Sequence, residues 1–282
     1  MHAGLKKSTF LVVFFATLVL ATNVFSSQPQ ISAATLPEYN IESEPAPVSA
    51  LSYVVFDLAT GEVLAAKEPT TVRPVASVTK LLTAATLVQT GDLEQVGTVK
   101  WSDLASEGRA GKLEADDMYT YRELLFPLLL ESSNDAAAFF ERVTKGAVLT
   151  EMNKLANSIG MIDSEFSDAS GLSDHNQSTA ADLKTLLTYV ATNVPYVLDI
   201  TTLPQHLGTY TGWVNNSPVQ GSVYLGGKHG YTTAANRTLV ALFEETFATE
   251  SRTLGYVLLG SADLSKDTAL LRTFVHQSVH YE

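Results

Sequence analysis

Three short clusters in this 282-residue chain carry side chains that could act together on a carbonyl group. In Ser77-Val78-Thr79-Lys80 a hydroxyl precedes an amine by three positions, and residues three apart share one face of a helix. A serine becomes a nucleophile when a neighbouring base takes its proton, and a lysine is such a base once burial or a nearby cation depresses its pKa. On a surface helix the same pattern is only a cap and a solvated lysine. Here Val75, Ala76, Val78, Leu81, Leu82 and Ala85 surround the pair, which predicts a lysine carried into apolar packing, where a lone charge is costly.

The second cluster is Ser132-Ser133-Asn134, just after the apolar run Leu124–Leu130. Alone it reads as the N-cap of the next helix. Beside a catalytic lysine, the Ser132 hydroxyl could relay a proton, and the Asn134 amide could bind both the lysine and a substrate peptide group. The third is Gly226-Gly227-Lys228-His229-Gly230-Tyr231, at the end of a predicted strand. As a bare pattern, a strand-end lysine guards a sheet edge. In a catalytic setting Lys228 anchors a substrate carboxylate and lowers the pKa of Lys80, while the glycines admit a substrate backbone. Backbone N–H groups of Ser77 and Tyr231 would then form an oxyanion hole.

These clusters need a scaffold that brings a helix start, a turn and a strand end together. Ser52–Leu58 and Glu62–Lys67 alternate like strands around Ala59-Thr60-Gly61, a hairpin signal. Val78–Val88 reads as a buried helix closed near Gly91, and helical patterns follow over 121–130, 135–143, 151–159 and 180–190. Thr179-Ala-Ala-Asp182 reads as a capping box for the last of these. Strands are expected over 222–228, 237–244 and 254–260, then a helix over 265–279. Strands at both ends with helices between predict a two-lobed α/β (α+β) body.

Composition narrows the function. Lys plus Arg total 18 against 30 Asp plus Glu, a formal charge of −12, and such a field repels nucleic acid and anionic lipid. With no cysteine, neither a disulfide framework nor a thiolate metal site can form. His276 and His280 are four apart but lack a third ligand, Asp174 and His175 read as solvated, and no metal or other cofactor is expected. At the start, Lys6 and Lys7, an apolar run over Phe10–Ala21 and the small residues Ser32, Ala33 and Ala34 have the order of an export signal. Residues 1–34 are accordingly expected to be an export signal or N-terminal membrane anchor, 35–49 a Pro-rich linker, and 50–282 the catalytic domain.

S-x-x-K, S-x-N and K-x-G each occur once, in that order, which is the signature of penicillin-binding proteins and class A β-lactamases. Arg73–Lys80, Glu131–Ala137, Ser178–Leu183 and Gly226–Thr232 resemble, in order and spacing, the D-alanyl-D-alanine carboxypeptidase family, peptidase S11, of low-molecular-mass penicillin-binding proteins. The likeness runs from Ser52 to the C-terminus. It implies the penicillin-binding-protein and serine β-lactamase fold: an antiparallel sheet flanked by helices, plus a helical lobe carrying the S-x-N turn. It implies that Ser77, Lys80, Ser132 and Asn134 are catalytic and that Lys228, His229, Gly230 and Tyr231 bind substrate. Ser77 would attack the bond between two D-alanines of a peptidoglycan stem peptide, and β-lactams would acylate the same serine. The expected place of action is the outer face of the cytoplasmic membrane or the wall, with membrane contact only through the N-terminal segment.

Two departures bear on specificity. His229 stands where the family usually has Thr or Ser, whose hydroxyl helps hold the substrate's terminal carboxylate. Imidazole can donate a hydrogen bond, and adds charge if protonated, but its size favours the alternatives of a DD-endopeptidase or a non-catalytic wall-binding protein. Nor is the β-rich C-terminal domain of longer family members expected after the last helix. A class A β-lactamase would need a Glu-x-x-x-Asn between Asn134 and Lys228, and neither Glu151 nor Glu165 has an Asn four residues on.

Overall fold

The computed structural model describes residues 47–248 and 250–279; the expected export segment 1–34 and most of the 35–49 linker lie outside them. The strands are β1 (Ser52–Asp57), β2 (Val63–Lys67), β3 (Arg73–Pro74), β4 (Val96–Thr98), β5 (Met118–Thr120), β6 (Gln177–Ser178), β7 (Gln205–Leu207), β8 (Gly212–Val214), β9 (Tyr224–Thr232), β10 (Asn236–Thr246) and β11 (Ser251–Ser261). The helices are α1 (Thr79–Thr90), α2 (Tyr121–Leu130), α3 (Asn134–Val143), α4 (Ala147–Ser158), α5 (Ala180–Asn193), α6 (Tyr196–Thr202) and α7 (Leu264–Ser278).

Five strands form one antiparallel sheet in the order β2-β1-β11-β10-β9. Its first and last thirds of sequence interleave, because β11 inserts between β1 and β10. The alternation of side chains explains how one sheet serves two cores. Val54, Phe56, Val240, Leu242, Val257 and Leu259 face one core, which they share with α1 and α5. Their neighbours Tyr53, Val55, Leu239, Ala241, Phe243, Tyr256 and Leu258 face the other, which α7 covers with Leu264, Leu271, Phe274 and Val275. Helices α2, α3 and α4 complete the first core as a helical lobe around α1.

Helix α1 is buried over Thr79–Leu87, including Lys80, as expected for a helix apolar on nearly every face. Among the described residues no helix is long and apolar enough to cross a membrane. The expected elements recur with shifted ends, and α6 and the small pairs β3–β6, β4–β5 and β7–β8 are additions. These are two- and three-residue strands or a seven-residue helix, too short to show a period.

The expected capping box at Thr179 is half formed. Thr179 caps α5 by accepting from the Asp182 N–H at 3.0 Å, but the Asp182 carboxylate does not turn back. It accepts instead from Asp163 N at 2.9 Å and Ser164 Oγ at 2.6 Å, pinning the preceding loop. Thr120 caps α2 in the same manner, and Glu123 reaches Thr209 in the turn of the β7–β8 hairpin. Cap carboxylates thus hold loops that helices alone would leave loose.

Candidate active site

Ser77 lies in a 3-10 turn, Ala76–Val78, that runs directly into α1. Ala76 is held at φ 51°, a left-handed conformation unfavourable for a residue with a Cβ. Its surroundings impose it. Val75 donates from its N–H to the Asn176 carbonyl at 3.0 Å and accepts at its own carbonyl from Thr238 Oγ1 at 2.9 Å. Gly171, at φ 84°, and Gly230 close on the turn from two sides: a Cβ on Gly171 would lie 2.0 Å from the Ala76 carbonyl oxygen, and one on Gly230 would lie 2.5 Å from Ser77 N.

Lys80 follows one turn later and is fully buried. Its Nζ donates to Ser77 Oγ at 3.0 Å, to Asn134 Oδ1 at 2.8 Å and to the Ser170 carbonyl at 2.5 Å. Burial lowers its pKa well below the ordinary lysine value, the charge of Lys228 lowers it further, and Asp168 works in the opposite direction. The expected amine beside the serine is therefore in place, and Lys228 acts on it with the expected sign. Lys228 is itself buried, which pushes its pKa down to about 7, and its Nζ donates to the His229 carbonyl at 2.8 Å.

The S-x-N turn brings Asn134 in from α3. Ser133 is the cap, its Oγ accepting from Ala136 N at 3.0 Å, and Ser132 sits at φ 60°. The Ser132 hydroxyl makes no hydrogen bond among the described residues, so it is free to exchange a proton with a bound molecule. Asn134 spends one amide N–H on the Glu107 carbonyl at 2.7 Å, leaving the other for a ligand. Next to it, the Asp135 carboxyl is buried with no hydrogen bond, Arg109 lying 3.7 Å away, and burial raises its pKa to about 6.

Two expectations about the third cluster change. The space above Gly226 and Gly227 is not left for a substrate: a Cβ on Gly226 would strike Thr201 Oγ1 at 2.8 Å, and one on Gly227 would strike the Val240 carbonyl at 2.3 Å. These glycines let α6 and β10 pack closely on β9, with Gly227 N donating to Thr201 Oγ1 at 2.9 Å. His229, expected to add charge when protonated, is held neutral. Burial comes first, then Lys228 and Lys80, and together they push its pKa down to about 2. Tyr231 is exposed beside Gly230 on β9, the edge strand, with the Arg237 guanidinium over its ring.

The loop before β6 supplies what motif reading missed. The Ser170 carbonyl reaches Lys80 because Asp168 Oδ1 accepts from Ser170 N at 2.7 Å and Gly171 N at 2.5 Å, and Oδ2 accepts from Ser173 N at 2.7 Å. Asn176 braces the same loop through Ser167 N at 2.8 Å and ties it to Thr79 Oγ1 at 3.1 Å. The signal was present in Ser167-Asp-Ala-Ser-Gly171, a run dense in residues whose side chains bond the local backbone. Asp174 and His175 are exposed, and the described residues hold no cluster of three metal-ligating side chains.

Such an arrangement could support acyl transfer: a hydroxyl, a buried amine of lowered pKa beside it, a second free hydroxyl and a further buried lysine beyond it. Gly171→Ala should lower the rate at which an acylating probe labels Ser77 by at least ~10-fold, since small misplacements of a nucleophile cost about that much or more. Labelling at the native rate would show that the Ala76 turn tolerates the added carbon.

A family model described as D-alanyl-D-alanine carboxypeptidase matches residues 39–259. A D-alanyl-D-alanine endopeptidase of Pseudomonas aeruginosa is 35% identical over 182 residues, which cover 63% of this chain and 56% of that protein. A D-alanyl-D-alanine endopeptidase of Escherichia coli is 29% identical over 249 residues, 83% of this chain and 77% of that one. The solved D-alanyl-D-alanine carboxypeptidase of Mycobacterium tuberculosis superposes with a TM-score of 0.76 at 26% identity, covering 85% of this chain and 95% of that structure.

Proposed function

Because the chain belongs to the D-alanyl-D-alanine carboxypeptidase family, peptidase S11, we propose that it is a serine-type D-Ala-D-Ala peptidase acting on peptidoglycan stem peptides. The observation that carries the reading is the buried Lys80 amine 3.0 Å from Ser77 Oγ, fixed there by Asn134 and the Ser170 carbonyl. Neutral Lys80 takes the Ser77 proton as Oγ attacks the carbonyl between the two D-alanines. The oxyanion forms against the N–H groups of Ser77 and Tyr231. The proton passes through Ser132 to the leaving amine as the peptide bond breaks, and the acyl group stays on Ser77. Water then adds to the ester, giving up a proton to Lys80, which returns it to Ser77 Oγ as the ester bond breaks, and the shortened stem peptide leaves as an acid that ionises to solvent. A β-lactam enters the same sequence, but its leaving amine remains attached. No step calls for a cofactor. Action outside the cytoplasmic membrane follows from this substrate, and the expected N-terminal segment would supply any membrane contact.

A second specificity is favoured by His229. A free C-terminal carboxylate is best met by charge and hydroxyls, whereas neutral imidazole suits the amide of a continuing peptide, as in a cross-link. The two relatives named endopeptidases agree with this alternative. His229→Thr should therefore raise cleavage of a D-Ala-D-Ala terminal peptide relative to cleavage of a cross-linked dimer by roughly 10-fold. An unchanged product ratio by chromatography would remove His229 as the determinant.

The direct test is intact mass and peptide mapping after incubation with a penicillin. One adduct on Ser77 is expected, lost in Ser77→Ala and slowed by roughly 10²- to 10⁴-fold in Lys80→Ala. An adduct elsewhere, or turnover by Ser77→Ala, would overturn the mechanism. The acylation rate should also be bell-shaped in pH. It rises as Lys80 loses its proton and falls above about 7 as Lys228 loses the charge that anchors the drug's carboxylate. A rate that keeps climbing through pH 9 would exclude Lys228 from that role.

A further inference from the structure

Five successive residues, Glu131 to Asp135, form the turn that delivers Ser132 and Asn134, and four of them are tied to one segment. Glu131 Oε2 accepts from Gly111 N at 3.1 Å, and its Oε1 accepts from Lys112 Nζ at 2.7 Å. Ser133 Oγ donates to the Ala110 carbonyl at 2.5 Å, Asn134 Nδ2 donates to the Glu107 carbonyl at 2.7 Å, and Asp135 faces Arg109 at 3.7 Å. Ser132 alone is untied among the described residues.

Glu131 does more than the others, because its carboxylate also reaches the β7–β8 hairpin. Oε1 accepts from Val214 N at 3.0 Å, and the Glu131 carbonyl accepts from Asn216 Nδ2 at 3.2 Å. The hairpin is locked to the 107–112 segment a second time, by Trp213 Nε1 donating to the Gly111 carbonyl at 2.5 Å and Lys112 Nζ donating to the Gly212 carbonyl at 2.7 Å. Glu131 thus sits mostly buried, its side chain 13% exposed, where three segments meet, immediately before the free hydroxyl. Charge-assisted bonds from two backbone N–H groups and an ammonium are the strong kind and leave the carboxylate one geometry.

We propose that Glu131 is a positioning residue for acyl transfer: by tying the 107–112 segment and the β7–β8 hairpin to the S-x-N turn, it holds Ser132 and Asn134 in register with Lys80. It touches neither substrate nor reacting atoms, and the inference rests on the acyl-transfer reading of the site. Its consequence is specific. Loosening the turn moves Ser132 and Asn134 relative to Lys80, while Lys228 and β9, which hold the ligand's carboxylate, belong to another part of the fold.

The test is stopped-flow acylation of the full chain by a penicillin, resolving the initial binding constant from the saturating acylation rate in wild type, Glu131→Ala and Glu131→Gln. Glu131→Ala should lower the saturating rate ~10- to 100-fold and move the binding constant by less than about threefold. Glu131→Gln, whose one carbonyl oxygen can still accept from Val214 N, should recover part of the loss. Circular dichroism melts should place both variants within about 5 °C of wild type, so that unfolded protein does not account for the change. A saturating rate unchanged in Glu131→Ala, a loss confined to binding, or a loss that only tracks the unfolded fraction would each overturn the proposal. Absence of any adduct on wild-type Ser77 would overturn the peptidase reading and this inference with it, which separates the two failures.

Discussion

A lysine amine buried inside an apolar body, its pKa lowered by that burial, is the constraint on which this architecture depends. Lys80 is buried with three hydrogen-bond partners, one on its own helix turn, one on α3 and one on the loop before β6. Each of those partners must itself be held, since a buried amine without acceptors is costly. Asn134 is held by the Glu107 carbonyl, and Ser170 is held by Asp168. The helical lobe, the sheet and the connecting loops are in that sense organised around satisfying one nitrogen.

The strain near that nitrogen is local and has visible causes. Ala76 and Ser132, the residues beside and within the reacting group, both occupy left-handed backbone conformations. Conformations of this kind cost about 1–3 kcal/mol each and persist where the surroundings over-determine them. At Ala76 the surroundings are two glycines and the two hydrogen bonds made by the Val75 backbone; at Ser132 they are the ties of its neighbours to the 107–112 segment.

Much of this was legible in the sequence, for reasons that differ by element. The sheet strands and α1, α2, α3, α5 and α7 are long enough to display their period, so their residues announced both the element and its buried face. Ser77, Lys80 and Asn134 were legible because hydroxyl, amine and amide are rare partners inside apolar runs. What stayed hidden was carried by backbone atoms or by contacts distant in sequence. The Ser170 carbonyl has no side-chain signature, and Glu131 bonds to Gly111 and Val214 across 20 and 83 residues. The glycines of the third cluster were legible as glycines, but not that α6, a helix too short to predict, would occupy the room they leave.

The two buried lysines have a consequence for the folding equilibrium itself. In the unfolded chain both amines hold their protons up to the ordinary lysine range, whereas in the folded body Lys228 gives up its proton near pH 7 and Lys80 does so well below its ordinary value. Around and above neutrality the unfolded state therefore binds more protons at these positions, and by linkage their contribution to stability increases with pH until the free amines also discharge. Asp135, whose carboxyl titrates near 6 when buried, pulls the other way over the acidic range. Folding in a neutral medium thus favours proton release at this site, with Lys228 giving up part of its charge near pH 7 before any ligand arrives.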